Sequence, residues 1–106
     1  MDLSDFRKKI DETDRKIVAL YEERMSLSEQ IAGYKIEHGI NVLDQQRENE
    51  KIESVRAMAG DDISKEGIEE IYRLILSYSK KKQYALMKSR GILSGDGDGG
   101  EKNDIG

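Results

Sequence analysis

Residues 3–34 read LSDFRKKIDETDRKIVALYEERMSLSEQIAGY. Within them Leu3, Phe6, Ile10, Thr13, Ile17, Leu20, Arg24, Leu27, Ile31 and Tyr34 recur at alternating steps of three and four. That is the period of a helix seam packed against another helix. The chain contains no proline to interrupt it, so the pattern predicts one helix of about 50 Å at about 1.5 Å per residue. Such a helix overshoots the modest core that a chain of about 90 folded residues builds alone, and it predicts a partner chain. Three cations break the apolar pattern. Arg24 sits on the seam, and Arg7 and Lys35 sit on its shoulder. A guanidinium on a buried stripe is unfavourable unless an anion meets it. The pattern therefore describes a helical bundle built to hold a small polyanion.

The long helix is expected to start at Ser4, a good N-cap, and to end near Glu37, with Gly39 in the left-handed capping position after His38. Ile40–Leu43 is a short connection. Asp44 caps a second helix running to about Ala59, and Gly60-Asp61-Asp62 breaks it. Ser64 caps a third helix that reaches about Ser89. Strand-like alternation persists nowhere. The expected fold is all-α: a three-helix domain over residues 1–90, with a glycine-rich, acidic tail or linker at 91–106 whose composition predicts disorder.

Formal net charge is −4, and the tail, with four acids and one lysine, holds most of it. The near-neutral body offers no basic field for nucleic acid. No run is long enough to span a membrane, and no signal peptide is expected. The absence of cysteine excludes disulfides and thiolate metal sites and fits a reducing, cytoplasmic compartment.

Arg24 and Lys35 are eleven residues apart, which is three turns plus about 20°, so they share a face about 16 Å apart. Two long side chains so placed can grip opposite ends of a small molecule. Arg7 lies seventeen residues before Arg24, about 25 Å away on the same helix. It does not reach the same ligand in its own chain, but it reaches that of an antiparallel partner. The plainer alternative pairs each cation with a nearby acid, Glu12, Asp14 or Glu23. In the second helix Glu48 falls on the stripe Glu48, Ile52, Val55, Ala59, so a carboxylate points where the core belongs. Asp44 reads most simply as a cap, and Arg47 as a solvated charge or a partner of Glu48. In the third helix the stripe Ile68, Ile71, Tyr72, Ile75, Tyr78 continues into Ser79 and Gln83, two neutral hydrogen-bonding groups four apart on one face.

Taken in order, Phe6-Arg7-Lys8-Lys9-Ile10-Asp11, Asp14, Leu20-Tyr21-Glu22-Glu23-Arg24, Lys35, Asp44-x-x-Arg47-Glu48 and Ser79-x-x-x-Gln83 resemble the all-helical chorismate mutases. The resemblance covers residues 3 to 87, and no position of that set departs from the family's pattern. It implies a three-helix subunit intertwined with a second into a homodimeric bundle, the long first helices pairing across the two-fold axis. It implies that arginines matching Arg7 and Arg24, one from each subunit, hold the two carboxylates of chorismate. The matches to Lys35 and Gln83 reach the breaking ether oxygen. Glu48 and the backbone at Asp44 take the ring hydroxyl, and Arg47 and Ser79 complete the pocket. No metal and no cofactor are implied. The residue types suit the reaction: chorismate to prephenate is a pericyclic rearrangement, helped by holding the substrate in its reactive shape and by donors aimed at the ether oxygen. A chorismate mutase of phenylalanine and tyrosine biosynthesis, on the shikimate pathway, is the first expectation. An isochorismate pyruvate lyase of the same fold is the second; Glu48 with Asp44 favours the mutase. A helical dimerisation module whose polar residues only fix register is the third.

Other features read as structural. His38 suits a helix end. Lys80-Lys81-Lys82 reads as a solvated face, Tyr21, Tyr34, Tyr72 and Tyr78 as core, and Asp96–Gly100 as a run lacking the spacing of a calcium loop.

Overall fold

Three helices, α1 (Leu3–Glu37), α2 (Gln45–Met58) and α3 (Asp62–Ser89), carry the computed structural model, which describes residues 1–92. Among the described residues there is no strand, and the all-α expectation holds. The helix breaks fall where the glycines predict them, and Gly39 has φ 66°. Two caps differ from the expectation. α1 begins on Asp2, not Ser4: the Asp2 side chain accepts the Asp5 N–H at 3.0 Å, and the Asp5 side chain accepts the Asp2 N–H at 3.0 Å. This reciprocal box satisfies two otherwise orphaned donors and leaves Ser4 inside the first turn. α3 likewise begins after Asp61, whose carboxylate accepts the Ser64 N–H at 2.7 Å. That hydrogen bond holds the Asp61 carboxyl below its ordinary value of 3.8. Asp44 caps α2 as expected, accepting the Arg47 N–H at 3.0 Å. Gly91, with φ 73°, and Ile92, whose N–H meets the Met87 carbonyl at 2.9 Å, complete the turn after α3. The remainder of the expected tail, including Asp96–Gly100, lies outside the described residues.

α3 is the central element and packs against both α1 and α2. Its neighbours contribute Met25, Ser28 and Ala32 from α1, Ile52 and Val55 from α2, and Val42 from the connection. On the outer edge Glu69 of α3 joins Arg56 of α2 at 2.7 Å and Arg73 at 2.9 Å, stapling the two helices.

The long seam has a different fate from a packed one. Leu3, Phe6, Ile10, Ile17 and Leu20 are each more than half exposed within the chain, and the bare stripe continues through Leu27, Ile31 and Tyr34. The face of α1 that this chain does bury runs through Met25, Ser28 and Ala32. Each of these lies one residue beyond a seam position, about 100° round the helix. α3 covers only that face, and only along the C-terminal half of α1. Tyr21 and Tyr34, expected in the core, are exposed for the same reason; on α3, Tyr78, also expected in the core, and Ile71 are exposed too, while Tyr72 is half-buried. Among the described residues no large side chain is fully buried. Among the described residues no helix is long and apolar enough to cross a membrane.

Candidate active site

The reach of α1 past α3, and the turn that brings α2 back across it, leave a cavity of about 340 Å³ where the three helices meet. Arg24 and Lys35 line it from α1, Asp44, Arg47 and Glu48 from the start of α2, and Ser79 and Gln83 from α3. Seven of the eight residues singled out in the sequence thus meet in one hollow. The eighth, Arg7, is exposed on the N-terminal half of α1 and does not line it. Arg24, Lys35, Arg47, Lys51 and Lys80 face Asp44 and Glu48 across this space, a surplus of positive charge. A hollow of about 510 Å³ between Tyr21 and Tyr78 is larger, but it contains none of the eight.

Arg24 is held without an acid. Its Nη1 donates to Ser79 Oγ at 3.1 Å, and its guanidinium stands 5.7 Å from the centre of the Tyr72 ring. Ser79 is buried and fully engaged. It accepts from Arg24 and from the Ser28 hydroxyl at 3.2 Å, and donates to Met25 Sδ at 3.7 Å. One hydroxyl offers one proton and two lone pairs, so Ser79 orients Arg24 rather than offering a free group. Lys35 Nζ donates to the Val42 carbonyl and Gln83 Nε2 to the Ser28 carbonyl, both at 3.4 Å. Contacts this long sit at the outer limit of hydrogen bonding and yield readily to a better acceptor. Among the described residues no carboxylate lies within ion-pairing distance of Arg7, Arg24 or Lys35, so the pairing with Glu12, Asp14 or Glu23 does not occur.

The Asp44 carboxylate is committed to its cap, while Arg47 is exposed at the rim. Glu48 meets a partner that the sequence reading placed in solvent. Lys80 is 7% exposed, and its Nζ lies 3.2 Å from Glu48 Oε1. The three consecutive lysines therefore divide: Lys81 and Lys82 face water, and Lys80 turns inward. Ser79 faces α1, and one residue later, about 100° round the helix, Lys80 faces α2. The signal was in α2: a carboxylate on an apolar stripe calls for a buried cation. His38 is the C-cap of α1, its Nδ1 2.8 Å from the Tyr34 carbonyl, as a helix-end role requires.

A family model described as chorismate mutase type II matches residues 6–84. A chorismate mutase of Methanocaldococcus jannaschii is 35% identical over 85 residues, covering 77% of this chain and 86% of that protein. No solved structure matches the chain significantly.

Proposed function

The chain belongs to the chorismate mutase type II family and is an isomerase-type enzyme, a chorismate mutase; from that premise we propose that the cavity between Arg24 and Gln83 is its active site and that a second copy of the chain completes it. The observation that carries the proposal is the convergence of Arg24, Lys35 and Gln83, each without an acidic partner, on one cavity with a surplus of positive charge. Chorismate carries two carboxylates and an enolpyruvyl ether, and such a donor set complements both features.

In this reading Arg24 binds one carboxylate, pre-aimed by Ser79 and Tyr72. Lys35 and Gln83 exchange their long carbonyl contacts for the ether oxygen, where negative charge grows as the C–O bond breaks. Donors fixed before the reaction stabilise that charge without having to reorganise. Glu48 and the backbone at Asp44 take the ring hydroxyl, and Arg47 closes the rim. The gain over solution comes from holding the substrate in its compact reactive conformer and from these donors.

The second copy follows from what one chain leaves undone. The seam from Leu3 to Leu20 is apolar and bare, and Arg7 stands on its shoulder about 25 Å from Arg24. An antiparallel partner helix covers the seam and carries its Arg7 to the neighbouring cavity. The homodimer, the contribution of Arg7, a cytoplasmic location and a place in aromatic amino-acid biosynthesis belong to this proposal.

Incubating the protein with chorismate tests the activity. Chorismate absorbance falls and prephenate accumulates, with EDTA present or absent. An unchanged substrate, or release of pyruvate from isochorismate in its place, would overturn the assignment.

A further inference from the structure

We propose that Lys80 is a positioning residue that aims the Glu48 carboxylate into the active site; the inference rests on the mutase reading above. Glu48 and Lys80 stand at a boundary. Together with Leu76 they line both the 340 Å³ cavity and a second hollow of about 200 Å³ between α2 and α3. Arg73, itself paired with Glu69, also lines that second hollow and is the other cation there. A carboxylate at this boundary has two directions to turn. The ion pair at 3.2 Å anchors it to Lys80, the more buried and more firmly held member, whose side chain is 9% exposed against 20% for Glu48. Held by Lys80, an ionised carboxylate keeps acceptor capacity for a hydroxyl donor in the cavity. The other charges facing it, Arg24, Lys35, Arg47 and Lys51, line the cavity that takes the substrate, and Asp44 is engaged as a cap.

Lys80 therefore acts on turnover through Glu48 and not by touching chorismate. A double-mutant cycle with Lys80→Met and Glu48→Gln separates the two routes. Lys80→Met should lower kcat/KM by about tenfold to a hundredfold, the scale of a misplaced active-site group. The loss should divide between kcat and KM as it does in Glu48→Gln. In the Glu48→Gln background, Lys80→Met should change kcat/KM by less than about threefold, because the two share one effect. Lys80→Arg, which keeps the ion pair, should recover most of the activity. The double variant buries no lone charge, so its comparison with Glu48→Gln stays readable even if Lys80→Met alone folds poorly. Additive losses would show that Lys80 meets the substrate itself. A Lys80→Met protein that melts lower but turns over like wild type would show a purely structural pair. Either result overturns the proposal. A readout independent of turnover is the ¹³C carboxylate resonance of Glu48, which should move in Lys80→Met and return in Lys80→Arg. A resonance indifferent to both would also overturn it, whereas an inactive wild type would count against the mutase reading alone.

Discussion

At the scale of single residues the proposed site rests on donors that are placed but lightly held. Lys35 and Gln83 each make one 3.4 Å contact to a backbone carbonyl. Lys35→Ala should leave the helical fold intact and lower kcat by about 10²–10³, the effect of removing one donor from a developing oxyanion. Circular dichroism with a chorismate assay checks it, and near-wild-type turnover would sink the role. Gln83→Glu should make turnover strongly pH-dependent. An amide donates at any ordinary pH, whereas a carboxyl group donates only while protonated and ionises near about 4.3 in water. The variant should work in acid and fade toward neutrality; a flat profile between about pH 5 and 8 would argue against contact with the ether oxygen. These residues were legible because each interrupts an apolar period with a polar group. Lys80 was not, because it sits in a run of three lysines whose other two members are solvated. Only its partner betrayed it, through the position of Glu48 on the inner stripe of α2.

At the scale of elements, the glycines and the absence of proline made the helix ends readable to within a few residues. The starts slipped because Asp and Ser both cap, and Asp2 precedes Ser4 as Asp61 precedes Ser64. The buried arc of α3 was misread because a helix packed on two sides shows a broad inner face rather than one stripe: Ser79 meets α1, Lys80 meets α2, and Ile71 and Tyr78 stay outside. The α2–α3 staple carries its own prediction. Hydrogen bonds from Arg73 and then Arg56 hold the Glu69 carboxyl below its ordinary value of 4.5. A carboxyl depressed on folding stabilises the fold above its unfolded pKa and stops doing so as pH falls through the folded value. Glu69→Gln should thus melt slightly below wild type at neutral pH, with the gap constant down to the ordinary carboxylate value and closing below it. Thermal melts across that range check it, and a gap that persists in strong acid would contradict the assignment.

For the whole molecule, one chain encloses a polar cavity but builds little of a core. α1 spans about 50 Å at about 1.5 Å per residue, close to the 55 Å length of the structure, and its N-terminal half is bare. The seam was legible in the sequence as an apolar helix face; what covers it was not, because periodicity marks such a face without naming the neighbour. If a second copy covers it, Leu20→Glu places a charge in the middle of the contact. It should shift sedimentation to the monomer and lower activity by about 10² or more, since each pocket loses the partner's Arg7. A dimer that survives the charge, or a fully active monomer, would count against the shared site. The most direct test joins the two arginines. Arg7→Ala and Arg24→Ala should each be nearly inactive. Unfolded together in equal amounts and refolded, they pair at random, so about half the dimers are mixed. In a mixed dimer one pocket collects both mutations and the other receives both native arginines. The refolded mixture should then recover about one quarter of wild-type activity from two inactive parents. A mixture no more active than its parents, with mixed dimers verified by native mass spectrometry, would contradict a site shared between chains.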